Sequence, residues 1–259
     1  MTPEEELERI AATVRAYLAW EDELSGTGLS APDPVPAPVP EPVPNLLLPS
    51  APVPDHAATP KLTPDERRAI LTVLAEQAAT CTACVLHRER TQSVFSRGNP
   101  DSPLVFVGEG PGYHEDQKGL PFVGPAGELL DKMIAAMGYA RDDVYICNVV
   151  KCRPPQNRTP LPDEAAACAQ FLVPQIEAIA PAVIVALGRC AAEALGCAER
   201  AGAGPTRPWR GVWGAWRGIP VMPTYHPAFL LRSPHQKKPV WEDLQKVMAK
   251  LGKPPRQRA

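Results

Sequence analysis

The stretch from Leu104 to Gly127, LVFVGEGPGYHEDQKGLPFVGPAG, constrains the fold more than any other part of the chain. Leu104, Val105, Phe106 and Val107 form a continuous apolar run between Pro103 and Gly108, which predicts a short strand buried on both faces. Gly108, Gly110 and Gly112 follow at once, with Pro111 between the last two. Such a turn lets backbone approach a ligand with no Cβ in the way. Glu109 sits inside it. A buried strand, a tight glycine turn and a carboxylate-rich loop packed together read as an active site.

The signals around this stretch alternate as parallel β and α units do. A capping box at Thr63-Pro64-Asp65-Glu66 opens a helix toward Thr80. Gly124-Pro125-Ala126-Gly127 opens another through Met137, with Gly138 able to cap its far end. Further strands are predicted at Tyr145–Val150, Ala182–Leu187 and Ile219–Tyr225. Helices fall at Pro162–Ile179, Gly188–Leu195 and Trp241–Leu251. The expectation is an α/β fold with four parallel strands. Each strand ends in something chemically specific: Glu109, Asn148, Gly188 and His226. In open parallel sheets the ligand crevice lies beyond the carboxyl ends of the strands, so these four ends predict one site.

The first 64 residues are of another kind. Residues 31 to 64 hold 12 of the 33 prolines, a composition that favours extended polyproline II and cannot bury a core. Residues 27–64 therefore read as a disordered Pro-rich linker, able to reach on the order of 100 Å when extended. Residues 1–26 read as a leading helix, capped by Thr2, Pro3 and Glu5, with Leu7, Ile10, Val14 and Leu18 on one face. That face suits packing on the main domain or capture of a protein partner. The main folded domain expected between them and a basic tail at 253–259 is residues 65–252. The N-terminus lacks an apolar core of signal-peptide length, and no run is long enough to span a membrane; a cytoplasmic monomer with no membrane role is expected. The net charge of −2 divides into −7 over residues 1 to 64 and +5 beyond, a mildly basic folded part that suits contact with phosphates.

Seven cysteines without an export signal are not expected to form disulfides. Cys81 and Cys84 form a CxxC, and no second CxxC completes a zinc site of ordinary spacing. Cys152 and Cys168 could join the first pair as four thiolates around an iron–sulfur cluster. Spacing leaves zinc and cluster both open, with the cluster preferred. Cys147, Cys190 and Cys197 read as small packed hydrophobes.

The segments GEGPGYHEDQKGLPFVGPAG, NVVKCRPPQNRTPLPDEAAAC, ALG and YHPAFLLR resemble the motifs of family-four uracil-DNA glycosylases, over nearly everything from Cys81 to Trp241. The resemblance implies a three-layer α/β/α sandwich around the four-stranded parallel sheet and a [4Fe–4S] cluster on Cys81, Cys84, Cys152 and Cys168. It implies a DNA repair glycosylase that flips uracil from single- or double-stranded DNA and hydrolyses its N-glycosidic bond. By that resemblance Phe122 stacks the base, Asn148 reads its edge, and His226 donates to uracil O2 as the base departs. Glu109 and the Gly110 backbone lie against base and sugar, and Glu109 and Glu115 are candidates for handling the water. Lys151, Arg153, Arg158 and Arg232 are expected DNA contacts, with Leu230 and Leu231 as wedges for the gap left by the flipped nucleotide. Where many relatives carry further acidic residues, this chain has Tyr113 and His114. Two other classes compete. One is a uracil-DNA-binding protein without turnover, which a related branch achieves through a His in the loop after the second strand; CRPPQNRTP has none. The other is a polymerase-associated or nucleotide-binding iron–sulfur module, for which GxGxG without a Walker-type lysine is weak support.

Overall fold

The computed structural model describes residues 62–197 and 209–253, all within the unit Val53–Ala259. The expected leading helix, the Pro-rich linker up to residue 61 and the basic tail beyond residue 253 lie outside the described residues. Among the described residues one sheet is built from β1 (Ser96–Gly98), β2 (Leu104–Gly108), β3 (Tyr145–Asn148), β4 (Val183–Leu187), β5 (Gly214–Trp216) and β6 (Ile219–Thr224). Its order is β1-β3-β2-β4-β6-β5. The inner strands β3, β2, β4 and β6 are parallel, as the sequence predicts. β1 and β5 pair antiparallel at the two edges, so the expected count of four becomes six. These additions are three residues each and only half-buried, too short to show a period.

Helices cover both faces because the inner strands are buried throughout and alternate residues need apolar partners on each side. On one face Val105, Val107, Ile184, Ala186 and Val221 meet α1 (Pro64–Thr80), α4 (Pro162–Ile179) and α5 (Arg189–Ala194). On the other, Leu104, Phe106, Ile146, Val185 and Met222 meet α3 (Pro125–Ala136), α6 (Pro227–Arg232) and α7 (Lys237–Lys250). Each fully buried side chain of this size contributes roughly 1.5–3 kcal/mol.

The expected capping box forms: Glu66 N–H donates to Thr63 Oγ1 at 3.3 Å and Thr63 N–H to Glu66 Oε2 at 2.8 Å. The expected loop after Gly112 instead begins with a short helix, α2 (Tyr113–Lys118), closed by left-handed Gly119. β3 stops at Asn148 rather than Val150, because Val149 and Val150 turn to donate to the carbonyls of Gly108 and Glu109. α7 starts at Lys237 rather than Trp241, since Pro239 in a first turn removes an N–H that has no intrahelical partner anyway. Among the described residues no helix is long and apolar enough to cross a membrane. The chain runs from β2 outward to β3 and then back across to β4 on the other side of β2, so a topological switch lies at the carboxyl end of β2.

Candidate active site

A cavity of about 390 Å³ opens at that switch. Glu109 and Gly110 reach it from the end of β2, Asn148 from the end of β3 and His226 from the end of β6, with Phe122 between them. Gly188, after β4, contributes space rather than a side chain. Its φ is +93° and a Cβ there would lie 3.2 Å from that of His226.

The floor is set by close approach to glycine. A Cβ on Gly108 would stand 2.4 Å from Asn148 Oδ1 and 2.6 Å from Phe122 Cζ, so only glycine lets the ring and the amide share that place. Phe122 adopts φ +55°, a conformation that costs a non-glycine residue energy and needs support from its surroundings. Arg141 supplies it by donating to the Phe122 carbonyl while holding Asp131 at 2.5 Å. Gly127 leaves room for that same carbonyl, which a Cβ would meet at 1.9 Å. Glu115 completes the clamp. Its Oε1 accepts from the N–H groups of Val123 and Gly124 at 2.8 and 3.0 Å, and its Oε2 from Gly112 at 3.1 Å. The carboxylate expected to share in water handling is thus engaged on both oxygens in shaping the loop. In sequence GPAG signals only a helix start, and nothing around Arg141 signals its hold on Phe122.

Asn148 is almost wholly buried, yet its Oδ1 has no hydrogen-bond partner among the described residues. A buried acceptor left bare costs on the order of 1–3 kcal/mol unless a ligand supplies a donor. Its backbone carbonyl accepts from Lys151 Nζ at 2.8 Å. Lys151 is 1% exposed, which overturns its assignment as a DNA contact. The ammonium also donates to Gln175 Oε1 at 2.6 Å, and Gln175 Nε2 donates to Tyr145 Oη at 2.8 Å, which donates to Ser96 Oγ at 2.7 Å. Burial holds the Lys151 pKa below its ordinary value, opposed by Cys147 and Cys168 nearby. A buried polar chain of this kind, satisfied along its length, fixes the end of β3 from below.

His226 caps α6 with its own ring: Nδ1 accepts from Ala228 N–H at 3.2 Å. Burial, with the Arg232 cation adding to it and Glu115 opposing, pushes the imidazole down to about 4. It is therefore neutral near pH 7, with its one proton on Nε2. Its ring stacks beside Phe122, centroids 5.5 Å apart at 29°. Glu109 lies across the cavity with its pKa raised by burial and partly restored by the Thr159 hydroxyl.

The expected basic contacts separate by environment. Arg153 and Arg232 form no ion pair among the described residues, and Arg232 lines the cavity. Arg158 also lines it, but both its amino nitrogens are held by buried Glu164, at 2.6 and 2.8 Å. That bidentate pair fastens the loop to the start of α4, so Arg158 is first a structural residue. Leu230 is 1% exposed and belongs to the core under α6, which removes it as a wedge, whereas Leu231 is 46% exposed.

Cys81, Cys84, Cys152 and Cys168 all line one small cavity between the end of α1 and α4. Arg90 Nη1 donates to Cys152 Sγ at 3.0 Å and Lys151 N–H to Cys168 Sγ at 3.3 Å. Burial raises Cys152 and takes Cys168 up to about 11, against the pull of these two cations. Cys147 and Cys197 are buried elsewhere in the core, as expected of packed hydrophobes.

Comparison with known proteins places this geometry. The family model "Uracil DNA glycosylase superfamily" matches residues 95–245. A type-4 uracil-DNA glycosylase of Thermotoga maritima is 46% identical over 193 residues, 72% of this chain and 97% of that protein. One from Archaeoglobus fulgidus is 41% identical over 186 residues, 70% of this chain and 92% of that protein. A type-5 uracil-DNA glycosylase of Thermus thermophilus matches only 38% of this chain and 51% of its own length, at 35% identity. The chain belongs to the uracil DNA glycosylase superfamily and, within it, to the type-4 uracil-DNA glycosylases.

Proposed function

We propose that this cavity takes a uracil flipped out of DNA and releases it by hydrolysis of the N-glycosidic bond, the work of a base-excision repair enzyme. The observation that carries the reading is the bare, buried Oδ1 of Asn148. Uracil N3–H donates to that oxygen, and uracil O4 accepts from the same amide's nitrogen. Cytosine presents an acceptor and a donor at those two places, so it meets the amide with both polarities reversed. Phe122 stacks the base, and the Gly110 backbone lies along base and sugar.

The bond between C1′ and N1 breaks with its electron pair moving onto the base, where charge collects at N1 and O2. The neutral His226 donates Nε2–H to O2 as that charge grows, an interaction stronger in the transition state than in the bound substrate. Water adds to the cation-like sugar carbon, and Glu109, facing the cavity with one carboxylate free of backbone ties, orients it and takes its proton. Glu115 holds the loop that carries Phe122 in place. Residues 65–252 form the catalytic domain in this reading, with residues 1–26 as a partner-binding arm on the 27–64 linker, and the protein acts as a monomer in the cytoplasm.

For the cofactor, four convergent thiols, one met by the Arg90 guanidinium and one by a backbone N–H, fit a [4Fe–4S] cluster. No second CxxC completes a zinc site of ordinary spacing, which favours a multi-iron cluster over zinc. Cys81, Cys84, Cys152 and Cys168 would hold it, and it would supply a structural tie between α1, the loop after β3, and α4.

The deciding experiment is incubation with a uracil-containing oligonucleotide followed by alkaline cleavage of abasic sites. Wild-type protein should produce strand breaks at uracil and none at cytosine. Asn148→Asp should lose uracil release by 100-fold or so, because a charged carboxylate cannot donate to O4 and repels the electron-rich edge. Wild-type rates in that variant would remove Asn148 from the base edge, and binding without cleavage by the wild type would favour the uracil-DNA-binding alternative.

A further inference from the structure

We infer that Tyr113, stacked against Arg153 at the mouth of the cavity, is a platform for the nucleobase adjoining the flipped uridine; this rests on the reading of the cavity as a uracil pocket. Tyr113 opens α2, directly after Gly112, which lines the cavity. Arg153 comes from the opposite loop, directly before Pro154, which also lines it. The guanidinium carbon of Arg153 lies 5.2 Å from the centre of the Tyr113 ring. The pair therefore bridges the two loops that form the rim.

The construction leaves the ring available. His114 meets it edge-on, centroids 5.5 Å apart at 77°, and 53% of Tyr113 remains exposed. Arg153 is oriented by donating from Nε to Asn157 Oδ1 at 2.7 Å, and Asn157 is itself a wall of the cavity. No carboxylate neutralises Arg153 among the described residues, in contrast to Arg158, whose charge is spent on Glu164. An open aromatic–guanidinium pair stabilises a fold only weakly, so its position matters more than its strength. Its position is where the strand must bend.

When a nucleotide leaves the stack for the cavity, the bases beside it lose a stacking neighbour on one face. An exposed aromatic face on the rim replaces that neighbour, and does so for any of the four bases, since each offers a π-face. The cation behind the ring keeps it in place and draws the strand's phosphates toward it. The ligand of this subsite is thus an unpaired or partly unstacked nucleobase, read by shape and not by its hydrogen-bonding edge.

The test uses the full-length protein and an oligonucleotide carrying 2′-fluoro-2′-deoxyuridine, whose glycosidic bond resists cleavage, with 2-aminopurine on its 5′ or its 3′ side. Binding should quench 2-aminopurine at one of the two positions. Tyr113→Phe should keep the quench. Tyr113→Ala should lose it and bind on the order of 10-fold more weakly. Replacing that flanking base with an abasic nucleotide should bring the wild type down to the affinity of Tyr113→Ala while leaving the variant unchanged. Because Tyr113 is exposed, its variants should keep the wild-type melting midpoint, which is checked in parallel. Equal quenching and affinity in wild type and Tyr113→Ala, with uracil still released from ordinary oligonucleotides, overturns the platform alone. Absence of uracil release by the wild type overturns the reading of the cavity and the platform with it.

Discussion

The Nδ1 of His226 accepts from the Ala228 N–H, and that single contact decides what the other nitrogen can do. An imidazole committed to accepting on one side carries its proton on the other, so Nε2 is the nitrogen left to donate, the role proposed for it above. A neutral donor also has no need to compete with a cation for water, and burial with Arg232 keeps it neutral down to about 4. His226→Ala should slow single-turnover uracil release by about 100- to 1,000-fold, roughly 3–4 kcal/mol, while DNA affinity changes far less. Equal losses in rate and affinity would reduce the residue to a holder of substrate. The pH dependence separates the two ionisable partners. Glu109, raised by burial, must be deprotonated to take the water's proton, so the acid limb of the rate should lie above the ordinary carboxylate range and vanish in Glu109→Gln. A limb near 6.5 that disappears in His226→Asn would contradict the neutral-donor role. Stability carries its own sign. The unfolded chain protonates this His near 6.5 and the folded chain only near 4, so the fold loses stability as pH falls through that window and gains nothing above it.

Short elements do more here than their length suggests. α6 has six residues and presents two adjacent leucines to opposite environments, Leu230 to the core with Leu244 and Val247, and Leu231 to solvent beside Arg232. Leu230→Ala should cost about 2–5 kcal/mol of stability through the void it leaves, read in a denaturant titration. Leu231→Ala should leave that titration within about 0.5 kcal/mol of wild type. It should slow uracil release from duplex several-fold more than from single strands, because only a duplex leaves a gap that a wedge must fill. Equal slowing on both substrates would remove the wedge. α2 works through its ends in the same way: Glu115 ties its start to the Phe122 loop, and Asp116, 1% exposed, accepts the Thr91 N–H at 2.9 Å. The helix thus joins the Phe122 loop to the segment that follows the first cysteine pair.

At the scale of the molecule, the four cysteines lie where α1, the loop after β3 and α4 meet. α1 buries only Leu71 and Ala78, although it packs along α4. Arg90 adds ties from Nη2 to the Ala79 carbonyl at 2.7 Å and from Nη1 to Cys152 Sγ. Metal-ligand bonds between Cys81, Cys84, Cys152 and Cys168 would supply the remaining cohesion, since free energy of binding to a site absent from the unfolded chain is free energy of folding. Purified protein should be brown, with broad absorption at about 400 nm. Replacing any one of these four by Ala should lower iron content and solubility together, whereas Cys190→Ala should be mild. Full activity in a colourless protein holding one zinc would overturn the cluster.

Much of this was legible in the sequence because the signals are local. The run Leu104–Val107 needs burial on both faces wherever it goes, Thr63 and Glu66 cap each other across one turn, and glycines after a strand permit close approach by themselves. Those features determined an α/β fold with parallel inner strands and brought Glu109, Asn148, Gly188 and His226 to one edge, whereas Phe122 was marked only by the family resemblance. What only the tertiary structure decided is which side chains keep their charge or their surface free. Lys151 looks like a phosphate contact in KCRPP until Gln175, 24 residues on, takes its ammonium into the core. Arg158 looks equally available until Glu164 meets it at the start of α4, and Glu115 looks catalytic until the N–H groups of Gly112, Val123 and Gly124 claim both oxygens. The edge strands β1 and β5 form because β3 and β6 offer them unpaired hydrogen-bonding groups, not because three residues prefer to be extended. In each case the deciding partner arrives through folding, and a charge or a hydrogen-bond acceptor has no assigned use until its neighbours are known.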